Sequence, residues 1–248
     1  SVVTPVSLSY FMMPSAEELA AAAALQRALH GGAEVKSEEV LAAQAAFTAM
    51  KNRYSPLSDD HLDLLFREPR TQYAWQDREV SDDLIRTLYD LTKMASTSVN
   101  SCPGRFLFLR SEESKERLRP TITGNNVEKI MGAPVVAIIA HDNDFYERLD
   151  ELVPYTDLKP MFIDKPAYCE ATAFRNGTLQ GAQLIMAARA LGLDCGPMSG
   201  FNNQAVDDLF FAGTSVVSNF LCCLGYGDPS RLFQRLPRLD FDQACELL

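Results

Sequence analysis

The sequence predicts an α+β fold in which a small mixed sheet is wrapped by helices, with an added N-terminal helical hairpin. Segments with helical and strand patterns interleave along the chain, but the strands are few and the helices are long. This alternation is too irregular for a doubly wound parallel sheet. The 248 residues, of which 47% are hydrophobic, suffice for one sizeable core. We therefore expect one main domain with an appendage.

The hairpin is predicted from helix-start signals near the N-terminus. A capping box at Ser15 precedes an Ala-rich helix, and Ser37 starts a second helix. These signals divide the chain into an N-terminal helical extension, residues 1–56, and a main domain, residues 57–248.

The main domain is predicted to alternate between helices and short strands. Helices are expected over about residues 60–66, 82–94, 126–131, 167–191 and 204–211, with further helices after Ser111 and around Tyr146. Strands are expected over residues 105–110, 134–140 and 216–226, and at Cys195. Residues 154–165 are expected to be irregular.

The long helix over residues 167–191 carries an apolar stripe at helical spacing, which predicts its core-facing side. The stripe comprises Ala171, Phe174, Thr178, Leu179, Ala182 and Ile185.

Composition excludes several classes of protein. The net charge of −10 and the lack of a basic stripe argue against a nucleic-acid partner. The sequence contains no run of about 18 apolar residues, so it predicts no membrane-spanning helix. The six cysteines form no CxxC pair and no metal-ligand spacing, so we expect buried, reduced thiols and no metal site.

Motifs for several common enzyme mechanisms are absent. There is no Rossmann glycine pattern, no P-loop and no nucleophile elbow, and only three histidines occur. A chain without its own acid–base apparatus can still be a redox enzyme if a cofactor brings the reactivity.

Four segments together resemble the nitroreductase family, whose members bind FMN. The most specific is the turn Gly196-Pro197-Met198-Ser199-Gly200, which follows the long helix. The others are Arg70-Thr71-Gln72, the loop over residues 97–103, and the tail with Arg235 and Arg238. The likeness covers about residues 60–248, and within the family it is greatest to the malonic semialdehyde reductase (3-hydroxypropionate dehydrogenase) branch.

The resemblance implies which residues contact the phosphate and the flavin edge. Arg70 would pair with the phosphate through its guanidinium fork, and Thr71 and Gln72 would touch the ribityl chain or the ring. Ser98 and Asn100 would approach the flavin, because an amide offers the donor and the acceptor that its O4/N3 edge requires.

The resemblance also assigns roles to the turn and the tail. Pro197 and Met198 would cover one ring face, while Ser199 and Gly200 would supply backbone N–H groups near N5. In the tail, Arg235 would reach the phosphate. Arg238 would compensate for a family lysine that Phe233 replaces here. No protein residue is expected to be catalytic, since flavin N5 carries the hydride.

The function implied is that of an FMN-dependent NAD(P)H oxidoreductase, a cytoplasmic homodimer that reduces a malonic semialdehyde-like carbonyl or a nitro compound. The long helix would lie at the dimer interface, where Arg175, Asn176 and Gln180 would hydrogen-bond to the partner or to the cofactor. One alternative is a catalytically silent subunit of a larger assembly, joined through residues 1–56 and located in an organelle after loss of a targeting peptide. Another is a flavin carrier without hydride chemistry.

Overall fold

A computed structural model describes residues 38–248 of the chain. The first predicted helix, which starts at Ser15, lies outside the described residues. The second is present as helix α1 (Glu38–Arg53), and none of its side chains is buried. The division of the chain into an extension and a main domain stays a prediction.

The expected pattern of helices and strands is confirmed, with ends that differ by a few residues. The further helices are α2 (Asp59–Leu62), α3 (Asp82–Thr92), α4 (Glu112–Leu118), α5 (Asn126–Met131), α6 (Leu149–Leu152), α7 (Pro166–Ala190), α8 (Asn203–Phe210) and α9 (Phe241–Ala244). A π-helical turn, Asp63–Arg67, continues α2. The strands are β1 (Gly104–Leu109), β2 (Val135–Asp142), β3 (Asp194–Met198) and β4 (Val216–Gly225).

The four strands form one sheet in the order β1-β2-β4-β3. The sheet is small, as expected, but antiparallel throughout rather than mixed. Leu109 at the end of β1 pairs with Val136 near the start of β2. After β1 the chain leaves the sheet, forms α4 and α5, and returns at the same end to begin β2. The two strands are therefore antiparallel.

Strand β2 forms the centre of the core, because helices cover both faces of the sheet. Its residues from Val135 to Ala140 are completely buried. Alternate side chains point to opposite faces. Val135, Ala137 and Ile139 pack with residues of α3 and α7, whereas Val136 and Ile138 pack with residues of α4, α5 and α8. The α+β sandwich predicted from the sequence is thus confirmed.

The predicted core stripe of α7 is wrong, because the helix turns a different face to the sheet. Phe174 is 53% exposed and Leu179 is 52% exposed. Small and amide side chains face inward instead, at Cys169, Thr172, Ala173, Asn176, Gly177, Gln180, Gly181, Leu184, Ala187 and Ala188. A Cβ at Gly177 would lie 2.7 Å from His141 Cβ, so the helix approaches β2 too closely for large residues. Most of the apolar stripe is exposed, although Ile185 packs at the edge of the core.

Four of the six cysteines are buried thiols, as expected, while Cys102 is partly exposed and Cys245 is exposed. Cys222 and Cys223 pack in the cores on opposite sides of the sheet. Burial raises the pKa of the Cys223 thiol to about 12. Within residues 38–248, no group of His, Cys, Asp or Glu side chains could hold a metal ion. Nor does any helix of that part of the chain have the length and apolarity to cross a bilayer.

Candidate functional site

Strand β3 and the turn after it lie against two polar side chains of α5. A Cβ at Gly196 would lie 2.7 Å from the Lys129 Cε atom and 3.0 Å from the Gln72 carbonyl oxygen. A Cβ at Gly200 would collide with the Asn126 amide. Glycine at both positions lets Lys129 and Asn126 approach the backbone of this segment closely.

Lys129 is a cation buried beside strand β3. Its side chain is 4% exposed, and its Nζ lies 4.9 Å from the centroid of the Tyr73 ring. Within residues 38–248, no carboxylate lies within ion-pair distance of it. Burial lowers the pKa of Lys129, and the nearby Cys223 and Cys222 thiols oppose this shift. An unbalanced buried cation of this kind suits an anionic or electron-rich ligand.

The C-terminal tail crosses the segment that contains Arg70. The Arg70 guanidinium donates a hydrogen bond to the Phe233 carbonyl, and the Phe233 ring meets the Tyr73 ring edge-on at 5.6 Å. Arg235 lies 3.7 Å from the Glu68 carboxylate. The structure therefore brings Arg70 and Arg235 onto neighbouring segments, and their binding of one shared phosphate stays a prediction.

Other predicted contacts are directed elsewhere. The Gln72 side chain is 6% exposed and packs between Gly227 and Asp194, with its Nε2 3.5 Å from an Asp194 carboxylate oxygen. The amide is interior in one protomer, and the predicted contact of Gln72 with the ribityl chain or the ring stays a prediction. Thr71 is exposed beside it. Arg238 donates to the carbonyls of Leu236 and Pro237 in its own tail.

Pro197 and Met198 were expected to cover the same ring face, and this is wrong. As neighbours on β3 they point to opposite faces of the sheet. Met198 is 8% exposed and packs in the core cluster with Leu118, Ile130 and Phe201. Its side chain is therefore a core residue. Pro197 is partly exposed, while Ser199 is exposed and Gly200 partly exposed at the end of the strand.

Ser98 and Asn100 lie at the opposite edge of the sheet. They belong to a short 3-10 turn, Ser98–Asn100, that leads into β1. Strands β2 and β4 separate β1 from β3, which amounts to about 14 Å across the sheet. Within residues 38–248, the Asn100 side chain donates to the Leu152 carbonyl at 3.0 Å, and neither residue contacts the turn after β3. One protomer therefore does not assemble the complete predicted site.

Sequence reasoning missed Lys129 and Asn126. Both were assigned only to a short helix. The sequence nevertheless contained a signal, because Lys129 lies in an apolar segment directly before a buried strand. Charged side chains are rarely buried, so a lysine at such a position indicates a specific role. The structure also places the Tyr73 ring between Lys129 and Phe233.

The chemistry available at this site is that of binding and orientation. Arg70 and Arg235 could hold a phosphate, while Lys129 and Asn126 could donate hydrogen bonds to the polar edge of a flat ring. Neither histidine of the described chain lies here: His61 is at the surface in α2, and His141 is 3% exposed in β2. These residues fit a planar, phosphorylated redox cofactor that supplies its own reactivity.

Known proteins with similar sequences carry names that describe redox enzymes. The family model described as "Nitroreductase family" matches residues 67–227. A protein of Cupriavidus pinatubonensis (strain JMP 134 / LMG 1197), named "Putative NADH dehydrogenase/NAD(P)H nitroreductase", is 54% identical over 193 residues, which cover 77% of this chain and 98% of that protein. HadB of Ralstonia pickettii, with the same description, is 56% identical over 186 residues, or 74% of this chain and 95% of HadB.

Solved structures share the fold at low sequence identity. A structure from Exiguobacterium sibiricum 255-15, described as a "putative nitroreductase in complex with FMN", superposes with a TM-score of 0.67 at 21% identity and covers 79% of this chain and 100% of its own. A Bacillus subtilis structure described as "putative nitroreductase ydfN" has a TM-score of 0.67 at 17% identity, with 77% and 100% covered.

Proposed function

The chain belongs to the nitroreductase family, and we propose that it is an FMN-dependent NAD(P)H oxidoreductase whose two sites form between two copies of the chain. The observation that carries the proposal is the buried Lys129 beside Gly196, a cation that no acid balances in the described part of the chain. FMN offers what this surface lacks, namely a phosphate and an electron-rich ring edge.

FMN, when bound, supplies the hydride chemistry between NAD(P)H and the acceptor. The protein's residues bind and orient it. Arg70 and Arg235 would hold the phosphate, and Lys129 and Asn126 would donate hydrogen bonds to the polar edge of the ring. The backbone after β3, at Ser199 and Gly200, provides N–H donors. Lys129 would place a positive charge beside that edge, which would favour an electron-rich ring.

A second copy of the chain completes the site. Ser98 and Asn100 lie at the far edge of the sheet, and the apolar stripe of α7 with Phe174 and Leu179 is exposed. Pairing two protomers through α7 would bury this stripe and bring the loop of one protomer to the turn of its partner.

For the acceptor we propose a small carbonyl acid such as malonic semialdehyde, with nitro compounds as further acceptors. The sequence likeness described above supports the carbonyl, and the names of the two relatives support nitro reduction. We propose a cytoplasmic location. The alternatives of a silent subunit and of an organellar protein draw no support from these relatives, whose names describe catalysts.

The test uses the purified full-length chain. We expect a yellow protein with flavin absorption, or a colourless one that gains it with added FMN. It should oxidise NADH or NADPH when malonic semialdehyde or a nitroaromatic is supplied. A folded protein that neither retains nor takes up FMN would overturn the proposal, and FMN binding without NAD(P)H oxidation would favour the flavin carrier.

A further inference from the structure

The loop that carries Ser98 and Asn100 has an unusual backbone. Val99, Asn100 and Cys102 have φ values of 48°, 52° and 41°. The left-handed region disfavours residues other than glycine, and for a β-branched residue such as valine it is a genuine outlier. Such a conformation persists only where surrounding contacts impose it.

Two buried amides of α7 provide those contacts. Asn176 Oδ1 accepts the backbone N–H of Ser98 at 2.8 Å, and Gln180 Oε1 accepts the backbone N–H of Gly104 at 2.7 Å. The two side chains are 3% and 4% exposed. They lie one helical turn apart on the same face of α7, so one rigid helix holds both ends of the loop.

The orientation of each amide is fixed by its surroundings. The Asn176 Nδ2 donates to the Thr172 carbonyl at 2.8 Å, which turns its oxygen toward Ser98. A Cβ at position 104 would lie 2.7 Å from the Gln180 oxygen, so the close approach requires glycine there. Apolar residues at 176 and 180 would leave two loop N–H groups without acceptors.

The remaining loop contacts do not replace these two. Thr97 Oγ1 accepts the Cys102 N–H at 3.2 Å within the loop itself, and Val99 packs at the edge of the cluster formed by Phe145 and Phe162. The buried Ser101 hydroxyl has no hydrogen-bond partner in the part of the chain that the structure describes. Among residues 38–248, only the two α7 amides connect the loop backbone to a long helix by hydrogen bonds at both ends.

We propose that Asn176 and Gln180 are positioning residues for the flavin site, a role that rests on the proposed function. They impose the left-handed loop conformation and so place Ser98 and Asn100 against the cofactor held by the partner protomer. The earlier expectation that these two amides bond across the dimer interface or to the cofactor is replaced by this indirect role.

The test measures FMN affinity of the full-length chain by quenching of flavin fluorescence. Asn176→Leu and Gln180→Met each remove the acceptor at nearly constant size. Each should raise the FMN dissociation constant about tenfold, or about 1.4 kcal/mol. Gln204→Met is the matched control, because the Gln204 amide is exposed and bonds only to Asp208 on α8 in the described structure. It should leave the constant unchanged.

A double-mutant cycle separates positioning from general loss of structure. Ser98→Ala should weaken FMN binding in the parent chain and have much less effect in the Asn176→Leu background, because the loop is then already displaced. Full additivity of the two changes would overturn the positioning role.

Amide hydrogen exchange on the parent protein keeps the test decisive if a variant does not fold. The Ser98 and Gly104 amides should exchange far more slowly than exposed loop amides such as that of Ser96. Equally fast exchange would overturn the inference. A parent chain that binds no FMN would overturn the proposed function, whereas a parent and variants that bind it equally well would overturn the positioning role alone.

Discussion

The two halves of the proposed site are built on different physical principles. The half around the turn after β3 brings together the cations Arg70, Arg235 and Lys129, and non-glycine residues there have ordinary φ values. The half formed by the loop over residues 97–104 contains no charged residue, but three of its residues are left-handed. The first half provides positively charged side chains, and the second provides a loop with an unusual backbone conformation. Under the proposed function, each half supplies only part of what a phosphorylated ring requires, and a second protomer would supply the other part.

The largest effect is expected from the charged half. Arg70→Ala should raise the FMN dissociation constant about a hundredfold, because a hydrogen bond between two charged groups is lost. Fluorescence titration measures it. Arg119→Ala is the control, since Arg119 pairs only with Glu116 at the surface in the described structure. Equal FMN affinities of the parent and Arg70→Ala would show that Arg70 does not bind the phosphate.

Mixing two defective chains tests whether the halves come from different protomers. One chain carries Arg70→Ala, and the other carries Ser98→Ala with Asn100→Ala. After subunit exchange, half of the dimers are mixed, and each has one intact site, so about a quarter of all sites should bind FMN with parental affinity. Absence of any restored binding would place both halves in one protomer.

Replacing Lys129 should raise the stability of the apo-protein but lower its affinity for FMN. Lys129→Met removes a buried charge, so the apo-protein should become more stable by about 1 kcal/mol, or a few degrees in Tm. FMN binding should weaken about tenfold, because a donor facing the ring is lost. Calorimetry and titration measure the two.

Lys115→Met is the contrasting control for Lys129→Met. Lys115 is similarly buried, but it donates to the Met131 carbonyl at 2.9 Å and pairs with Glu112 at 3.4 Å. Its replacement should destabilise the protein and leave FMN affinity unchanged. The same sign of stability change in both variants would contradict the assignment of Lys129 as an unbalanced cation.

The smallest expected effect is a pH dependence of the stability of the apo-protein, which arises from His141 in β2. Burial lowers the pKa of His141 from 6.5, and the Asp207 and Asp142 carboxylates oppose this only in part. The unfolded chain therefore binds more protons below about pH 6.5, and the apo-protein should lose stability as pH falls through that value. His141→Asn should show a shallower decline in urea unfolding. If stability declines equally steeply with falling pH in the parent and in His141→Asn, then titratable groups other than His141 cause the decline.

Much of the fold could be predicted because local signals and burial agree. Ser81 and Ser111 accept hydrogen bonds at the starts of α3 and α4, as their positions before acidic residues predict. The prediction failed where packing geometry decides. Phe174 and Leu179 form a convincing apolar stripe, but Gly177 and Gly181 face the sheet because α7 approaches β2 closely.

The candidate site was predictable in part for a similar reason. Arg70 and Arg235 were expected near one anion, and the structure brings their segments together through Phe233. Lys129 could not be assigned, because its significance depends on the absence of a nearby acid, which is a property of tertiary packing. Asn176 and Gln180 were noticed as polar, but their partners Ser98 and Gly104 are distant in sequence.

The sequence by itself determined the α+β class, the order of helices and strands, the turn after β3 and the arginines available for a phosphate. These follow from residue type and short-range spacing, since caps, periodicity and glycine act locally. Only the tertiary structure decided which face of α7 is buried, that Lys129 is an unbalanced cation, and that the two halves of the site lie at opposite edges of one sheet. Those properties depend on which distant segments meet, and no local pattern encodes them.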